Sequence, residues 1–269
     1  MIDSLRGKTV LITGGTMGIG LATGLAFAGQ GAHCILTYRW GTADEAEIRA
    51  KFASLEAAPP LIVEADVSHD EDTARLLDEV RQHHDRIDVF VSNVAVAQVV
   101  QQFSAYEKRA LLKSIDYSAW PMFAYLHRIK ERFGVYPRYV VALSSSGPDH
   151  YARNYDFVAA CKSVLETLAR YAAYRLDGTN LNIVRAGYVR TESLRTVFGN
   201  EFESFAKRFG LDRHFISPEE VAKVIVALCS GLLDGVNGQV LAVDRGTSFF
   251  DTLARIENEF GPFNLTTPP

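Results

Sequence analysis

Seven short apolar runs recur along the chain, with helical patterns between them. They are 8–13 (KTVLIT), 32–38 (AHCILTY), 61–66 (LIVEAD), 87–93 (IDVFVSN), 138–146 (RYVVALSSS), 181–187 (LNIVRAG) and 238–244 (GQVLAVD). The runs are continuous rather than alternating, so each predicted strand expects burial on both faces. The intervening spacing predicts helices near 18–30, 43–55, 70–84, 105–115, 117–133, 155–174 and 217–231. Gly29 and Gly31 mark the end of the first helix, Asp70 is expected to cap the third, and Ser217-Pro218 with Glu220 predicts a capping box. Residues 192–209 give no regular period, and a last helical pattern, 249–260, precedes a frayed end. Alternation of strands with helical segments predicts an α/β protein built on a doubly wound, parallel, seven-stranded sheet. Ligands of such a sheet gather at the carboxyl ends of its strands. No repeat or linker divides residues 1–269, so a single domain is expected, with 249–269 as a C-terminal extension.

Composition changes this picture little. With 269 residues, 48% of them hydrophobic, the chain can bury a sizeable core. A net charge of −4 gives no global pull toward nucleic acid or an anionic membrane. No apolar run is long enough to span a bilayer, and the start, MIDSLRGKTVLITGG, does not read as a signal peptide. The three cysteines, Cys34, Cys161 and Cys229, lack metal-ligand spacing. Cys34 and Cys229 read as buried thiols. A cytoplasmic protein without a metal site is the expectation.

Two stretches carry candidate chemistry. The first, Thr13–Gly20, joins the first strand to the first helix. A pyrophosphate can sit on a helix N-terminus only where no Cβ blocks the backbone. Gly14 would permit the turn, Gly18 the approach and Gly20 the packing of helix on strand. The second, residues 144–162 (SSSGPDHYARNYDFVAACK), brings three serines, two tyrosines and a lysine together. Here Lys162 would be a cation, Tyr155 an acid and Ser145 the holder of a substrate oxygen.

The TGxxxGIG spacing resembles the short-chain dehydrogenase/reductase family over about residues 5–247. The resemblance implies the Rossmann fold and a dinucleotide held by Gly14, Met17, Gly18, Ile19 and Gly20. It places Asp66-Val67 against adenine and Asn93 in the loop after strand four. Gly187, Val189 and Thr191 follow strand six, with Thr191 against the cofactor's amide or phosphate. The second strand ends Thr37-Tyr38-Arg39-Trp40, without the carboxylate of NAD-preferring sites. Arg39 can pair with a 2′-phosphate and Tyr38 or Trp40 can flank the adenine, so NADPH is expected.

The family's common Tyr-x-x-x-Lys pattern is broken, because Val158 stands four positions before Lys162. Tyr155 stands seven before it, on nearly the same helix face and about 4.5 Å farther along the axis. That spacing resembles the enoyl-acyl carrier protein reductases, and residues 144–171 look most like their NADPH-dependent type III group. The resemblance implies that Tyr155 holds an enolate, that Lys162 bonds the cofactor ribose and lowers the tyrosine's pKa, and that Ser145 fills the serine position. Tyr151 is a second candidate acid. Asp116 stands where the family places an asparagine of its proton relay. Residues 192–216 stand where the family carries a mobile lid. Their apolar residues Leu194, Val197, Phe198, Phe202, Phe205 and Phe209 would cover an acyl chain, or simply pack on the core. Arg190, Arg195, Lys207, Arg208 and Arg213 would greet acyl carrier protein or CoA, or form a solvated face. The expectation is therefore an NADPH-dependent reduction of an enoyl thioester, in fatty acid or polyketide biosynthesis, by a homotetramer. A ketoreductase of secondary metabolism is the alternative. A non-catalytic NADP-binding regulator could dispense with Tyr155 and Lys162.

Overall fold

All seven apolar runs form strands: β1 (Thr9–Ile12), β2 (His33–Tyr38), β3 (Leu61–Glu64), β4 (Val89–Ser92), β5 (Tyr139–Ser145), β6 (Asn180–Ala186) and β7 (Val240–Val243). The computed structural model describes residues 2–39, 43–96, 99–199, 201–208 and 212–249. The strands make one sheet in the order β3-β2-β1-β4-β5-β6-β7, and every pairing is parallel. The helices are α1 (Gly18–Ala28), α2 (Glu45–Ala53), α3 (Asp70–Arg81), α4 (Lys108–Ser118), α5 (Trp120–Phe133), α6 (Asp156–Arg175), α7 (Glu192–Phe198), α8 (Glu201–Arg208) and α9 (Pro218–Leu228).

The continuous apolar strands follow from two cores, one on each face. Val10 and Ile12 of β1 pack with Phe27 of α1, Phe52 of α2 and Val221 and Ile225 of α9. Leu11, between them, points the other way and packs with α3, α5 and α6 through Leu76, Met122, Tyr125, Leu165 and Ala169. Strand alternation thus sends successive side chains into opposite apolar layers. The strand order reverses between β1 and β4, and the crevice this opens lies at their carboxyl ends.

Several helix boundaries differ from the sequence expectation. The α4 helix lies three residues later than the pattern suggested. It breaks at Ala119 (φ −126°, ψ −53°), and Pro121 stands in the first turn of α5, where a missing N–H costs no hydrogen bond. Asp70 is the first residue of α3 rather than its cap; His69 holds that position without a side-chain bond. The predicted capping box of α9 is present: Ser217 Oγ accepts from the Glu220 amide at 3.3 Å, and the Ser217 amide donates to Glu220 Oε2 at 2.8 Å. Cys34, Cys161 and Cys229 are all buried free thiols. Among the described residues no helix is long and apolar enough to cross a membrane. The expectations for Trp40, for Phe209 and, beyond Phe249, for the helix over 249–260 lie outside the described residues.

Candidate active site

The turn after β1 is built around close backbone approach. Gly14 has φ +62°, and a Cβ there would meet Val94 Cγ2 at 3.0 Å. A Cβ on Gly20 would lie 2.1 Å from the Gly14 carbonyl oxygen, so any larger residue would push α1 off the turn. Asn93 ties the same turn to β4: its Nδ2 donates to the carbonyls of Thr13 and Gly14, both at 3.0 Å, and its amide donates to Thr13 Oγ1 at 3.0 Å. Asn93 is therefore a staple of the crevice. Met17, at the N-cap of α1, is exposed and makes no side-chain cap bond. The first turn of α1, carrying Gly18 and Ile19, is thus left uncapped by a side chain and suits an anion. Across from Gly18, the Thr191 methyl is the nearest group a Cβ would meet, at 3.5 Å. Thr191 also caps α7, accepting from the Leu194 amide at 3.3 Å, and follows Gly187 and Val189 at the end of β6.

At the adenine end the structure adds a partner. Arg39 forms an ion pair with Asp66 Oδ2 at 2.7 Å, donates to the Tyr117 hydroxyl, and lies over the Tyr117 ring at 5.1 Å. The Tyr117 hydroxyl donates to Asp66 Oδ2 at 3.1 Å, while Ser68 donates to Oδ1 from its amide and hydroxyl. Burial by itself would raise the Asp66 carboxyl. The Ser68 and Tyr117 hydrogen bonds, with Arg39 beside it, hold it below the usual range. Asp66 therefore anchors Arg39, with Val67 buried next to it. Tyr38, at the end of β2, donates to Glu45 at 3.4 Å.

At the head of α6, Tyr155 is the N-cap residue, with φ −103° and ψ 7°. Its ring sits over Gly147, where a Cβ would lie 2.8 Å from Tyr155 Cε1, so only glycine leaves room for the ring. Burial raises the Tyr155 pKa; nearby Ser145 offsets part of the rise, and Tyr188 adds to it. Ser145 Oγ is buried and has no hydrogen-bond partner among the described residues. Such an orphaned hydroxyl is costly unless a ligand satisfies it. Strand alternation explains why Ser144 differs: it points the other way and donates to Glu166 Oε1 at 2.6 Å.

Lys162 is 4% exposed, and its Nζ donates to the Leu143 carbonyl at 2.7 Å. Burial lowers its pKa to about 8, with Cys161 and Glu166 acting in the opposite direction. The ammonium is thus held on the β5 backbone two residues before Ser145. Val158, the residue at the common tyrosine position, is buried in the core. Tyr151 is 90% exposed on the loop before α6, so it does not share the Tyr155 pocket. Asp116 is exposed on the outer face of α4, where it lines an open groove with Lys108, Arg109, Leu112 and Lys113. The structure does not bring it to Lys162. The α4 side chain that does approach this region is the buried Ser114, whose hydroxyl helps hold down the Cys161 thiol pKa, itself raised to about 11 by burial.

The segment without regular period forms α7 and α8. It folds on a small apolar cluster of its own: Leu194, Ala206 and Phe215, with Phe198 and Phe202 packed against them. Tyr188 joins these rings at 5.5 to 5.8 Å, and Phe198 stacks on Phe202 at 4.7 Å. Phe205 stays exposed. The basic residues are partly used within the segment: Arg190 lies over Phe215, and Arg195 pairs with Glu203 at 3.7 Å. Sequence reasoning missed Tyr117, Gly147, Tyr188 and an ionic group of the buried Glu166, the half-buried Arg185 and the exposed Asp149. The readable signal for that group was Arg185, the one charged residue of β6.

A glycine-turn crevice at the reversal point of a doubly wound sheet, leading to a helix with Tyr155 at its head and a buried Lys162, defines a short-chain oxidoreductase. The profile of the family described as enoyl-(acyl carrier protein) reductase matches residues 14–248, and the chain belongs to this family within the short-chain dehydrogenases/reductases. It is 26% identical, over 94% of its length and 96% of the relative's, to the enoyl-[acyl-carrier-protein] reductase [NADH] FabI of Aquifex aeolicus. It is 27% identical to the cis-4-hydroxycyclohexanecarboxylate dehydrogenase of Sinomonas cyclohexanicum, over 91% of this chain and 98% of that one. The crystal structure of the Bacillus cereus enoyl-acyl carrier protein reductase with NADP+ and an indole naphthyridinone shares the fold, with a TM-score of 0.80 at 24% identity, covering 93% of this chain and 99% of that one.

Proposed function

We propose that this protein is an NADPH-dependent enoyl reductase acting on an α,β-unsaturated thioester carried by acyl carrier protein or CoA. The observation that carries the reading is at the head of α6. The common acid position, Val158, lies in the core, while Tyr155 faces the orphaned Ser145 hydroxyl. The crevice fits a dinucleotide on two counts: backbones too close for a Cβ at Gly14 and Gly20, and a helix N-terminus without a side-chain cap. Gly14, Met17, Gly18, Ile19 and Gly20 would hold its pyrophosphate, Val67 the adenine, and Gly187, Val189 and Thr191 the nicotinamide side, with Lys162 at the ribose. Arg39, at the end of a strand that offers no acid, favours a 2′-phosphate, which would share the guanidinium with Asp66.

When bound, the dinucleotide supplies the hydride. The chain's own groups manage the oxygen of the thioester. Tyr155, kept protonated by burial, donates a hydrogen bond where negative charge develops on that oxygen, and Ser145 Oγ donates a second. Reduction at Cβ places this charge several bonds from the hydride. That geometry suits an acid set farther along the helix than the ketone-reducing position. The ring cluster of Tyr188, Phe198 and Phe202 offers an apolar wall for an acyl chain. The resemblance, together with Leu168, Tyr171 and Tyr174 exposed along α6, supports a homotetramer.

One assay separates the readings. Crotonyl-CoA and acetoacetyl-CoA are each offered with NADPH and with NADH, and dinucleotide oxidation is followed by absorbance. Crotonyl-CoA with NADPH is the pair expected to turn over. Reduction of acetoacetyl-CoA alone would establish a ketoreductase, a chemistry closer to that of the named dehydrogenase relative. Equal rates with NADH would remove the role given to Arg39.

A further inference from the structure

Behind the candidate active site lies a buried ionic clamp that neither the fold nor cofactor binding calls for. Glu166, one turn after Lys162 on α6, is 4% exposed. Its Oε1 accepts from Ser144 Oγ and from Arg185 Nε, each at 2.6 Å, and its Oε2 accepts from Arg185 Nη2 at 2.6 Å. Arg185 comes from β6, where the strand register sets it directly beside Ser144 of β5. Its remaining arm, Nη1, donates to Asp149 in the loop between Ser145 and Tyr155. The Asp149 carboxyl is held below its usual range, chiefly by this hydrogen bond. Four pieces of chain, β5, β6, α6 and the loop, are thus joined through one guanidinium and two carboxylates.

A buried ion pair of this kind contributes little net stability compared with apolar side chains of the same volume. It does fix geometry, because a bidentate guanidinium–carboxylate pair tolerates little displacement. The geometry it fixes here is local. Ser144 is turned toward α6, which leaves the neighbouring Ser145 hydroxyl facing Tyr155. Asp149 ties down the loop whose Gly147 receives the Tyr155 ring. We propose that Arg185, bridging Glu166 and Asp149, is a positioning residue that holds the loop joining Ser145 to Tyr155, and so these two side chains, in their reactive arrangement. The inference rests on the reading of Tyr155 given above.

The test compares Asp149→Asn, Asp149→Glu, Arg185→Lys and Tyr155→Phe in the full chain, using the thioester that the parent protein reduces. Asp149 is largely exposed at the surface end of the clamp, so Asp149→Asn cuts the loop arm and leaves the buried Glu166–Arg185 pair intact. The expected result is a fall in kcat of about tenfold for Asp149→Asn, the scale of a small misplacement of a reacting group. Dinucleotide Kd and the melting temperature should stay near those of the parent, and Asp149→Glu should recover most of the rate. Arg185→Lys, which cannot bridge two carboxylates in one plane, should fall at least as far. Unchanged kcat in Asp149→Asn beside a large loss in Tyr155→Phe overturns the inference alone. A loss in Asp149→Asn matched by weaker dinucleotide binding and a lower melting temperature also overturns it, because the clamp would then be only structural. Unchanged kcat in Tyr155→Phe overturns the reading of Tyr155, and this inference with it.

Discussion

Lys162 sits where burial and charge oppose each other. Its pKa falls from 10.5 to about 8, burial being the main cause. Between those values the unfolded chain binds a proton that the folded chain does not, so stability rises with pH across that window. Below pH 8 the folded protein carries the full cost of a buried ammonium. Lys162→Met should therefore melt a few degrees above the parent at pH 7, with the difference shrinking as the pH rises toward 10.5. Circular dichroism melts at several pH values check this; a gap that does not narrow would show that burial of charge is not the cause. At this scale the sequence was informative about identity and poor about partners. Tyr155, Lys162 and Ser145 stood out by type and spacing. The bond from Lys162 to Leu143, and the attachment of Arg39 to Asp66, depend on residues far away in sequence.

Among the elements, α6 was the most legible, because its apolar period is long and regular. The α7–α8 segment was the least legible. Its aromatic residues do not make a stripe against the main sheet but close on each other through Tyr188, Phe198, Phe202 and Phe215. That pattern has no single helical period, so it reads as irregular. If this cluster forms the wall of the acyl site, Phe202→Ala should raise KM for a long-chain enoyl thioester by about tenfold while crotonyl thioester is little affected, as lost apolar contact predicts. Steady-state kinetics with both chain lengths give the comparison. An equal change for both would make the cluster a packing unit only. The missed shift of α4 has a similar origin: Ala119 and Pro121 divide an almost continuous apolar pattern, and the capping geometry that fixes the division is visible only in the backbone.

For the molecule as a whole, α6 leaves Leu168, Tyr171 and Tyr174 exposed, three residues apart, while its other face packs on the sheet. Exposed apolar side chains grouped on one helix face mark an interaction surface. If copies of the chain meet there, Leu168→Asp with Tyr171→Asp should shift the assembly to smaller species in light scattering after size exclusion; an unchanged mass would place the interface elsewhere. The amino-acid sequence by itself determined the alternating elements, the parallel sheet and the glycine turn. These follow from local periodicity and from backbone limits that each residue carries with it. Only the tertiary structure decided which serine is left unpaired, that Asp116 faces away from Lys162, and that Arg185 joins Glu166 to Asp149. Strand register and helix packing set those distances, and neither is encoded in a local pattern. The Tyr155–Lys162 spacing could be counted in the sequence, but the clamp behind it appeared only when β5, β6 and α6 were brought together.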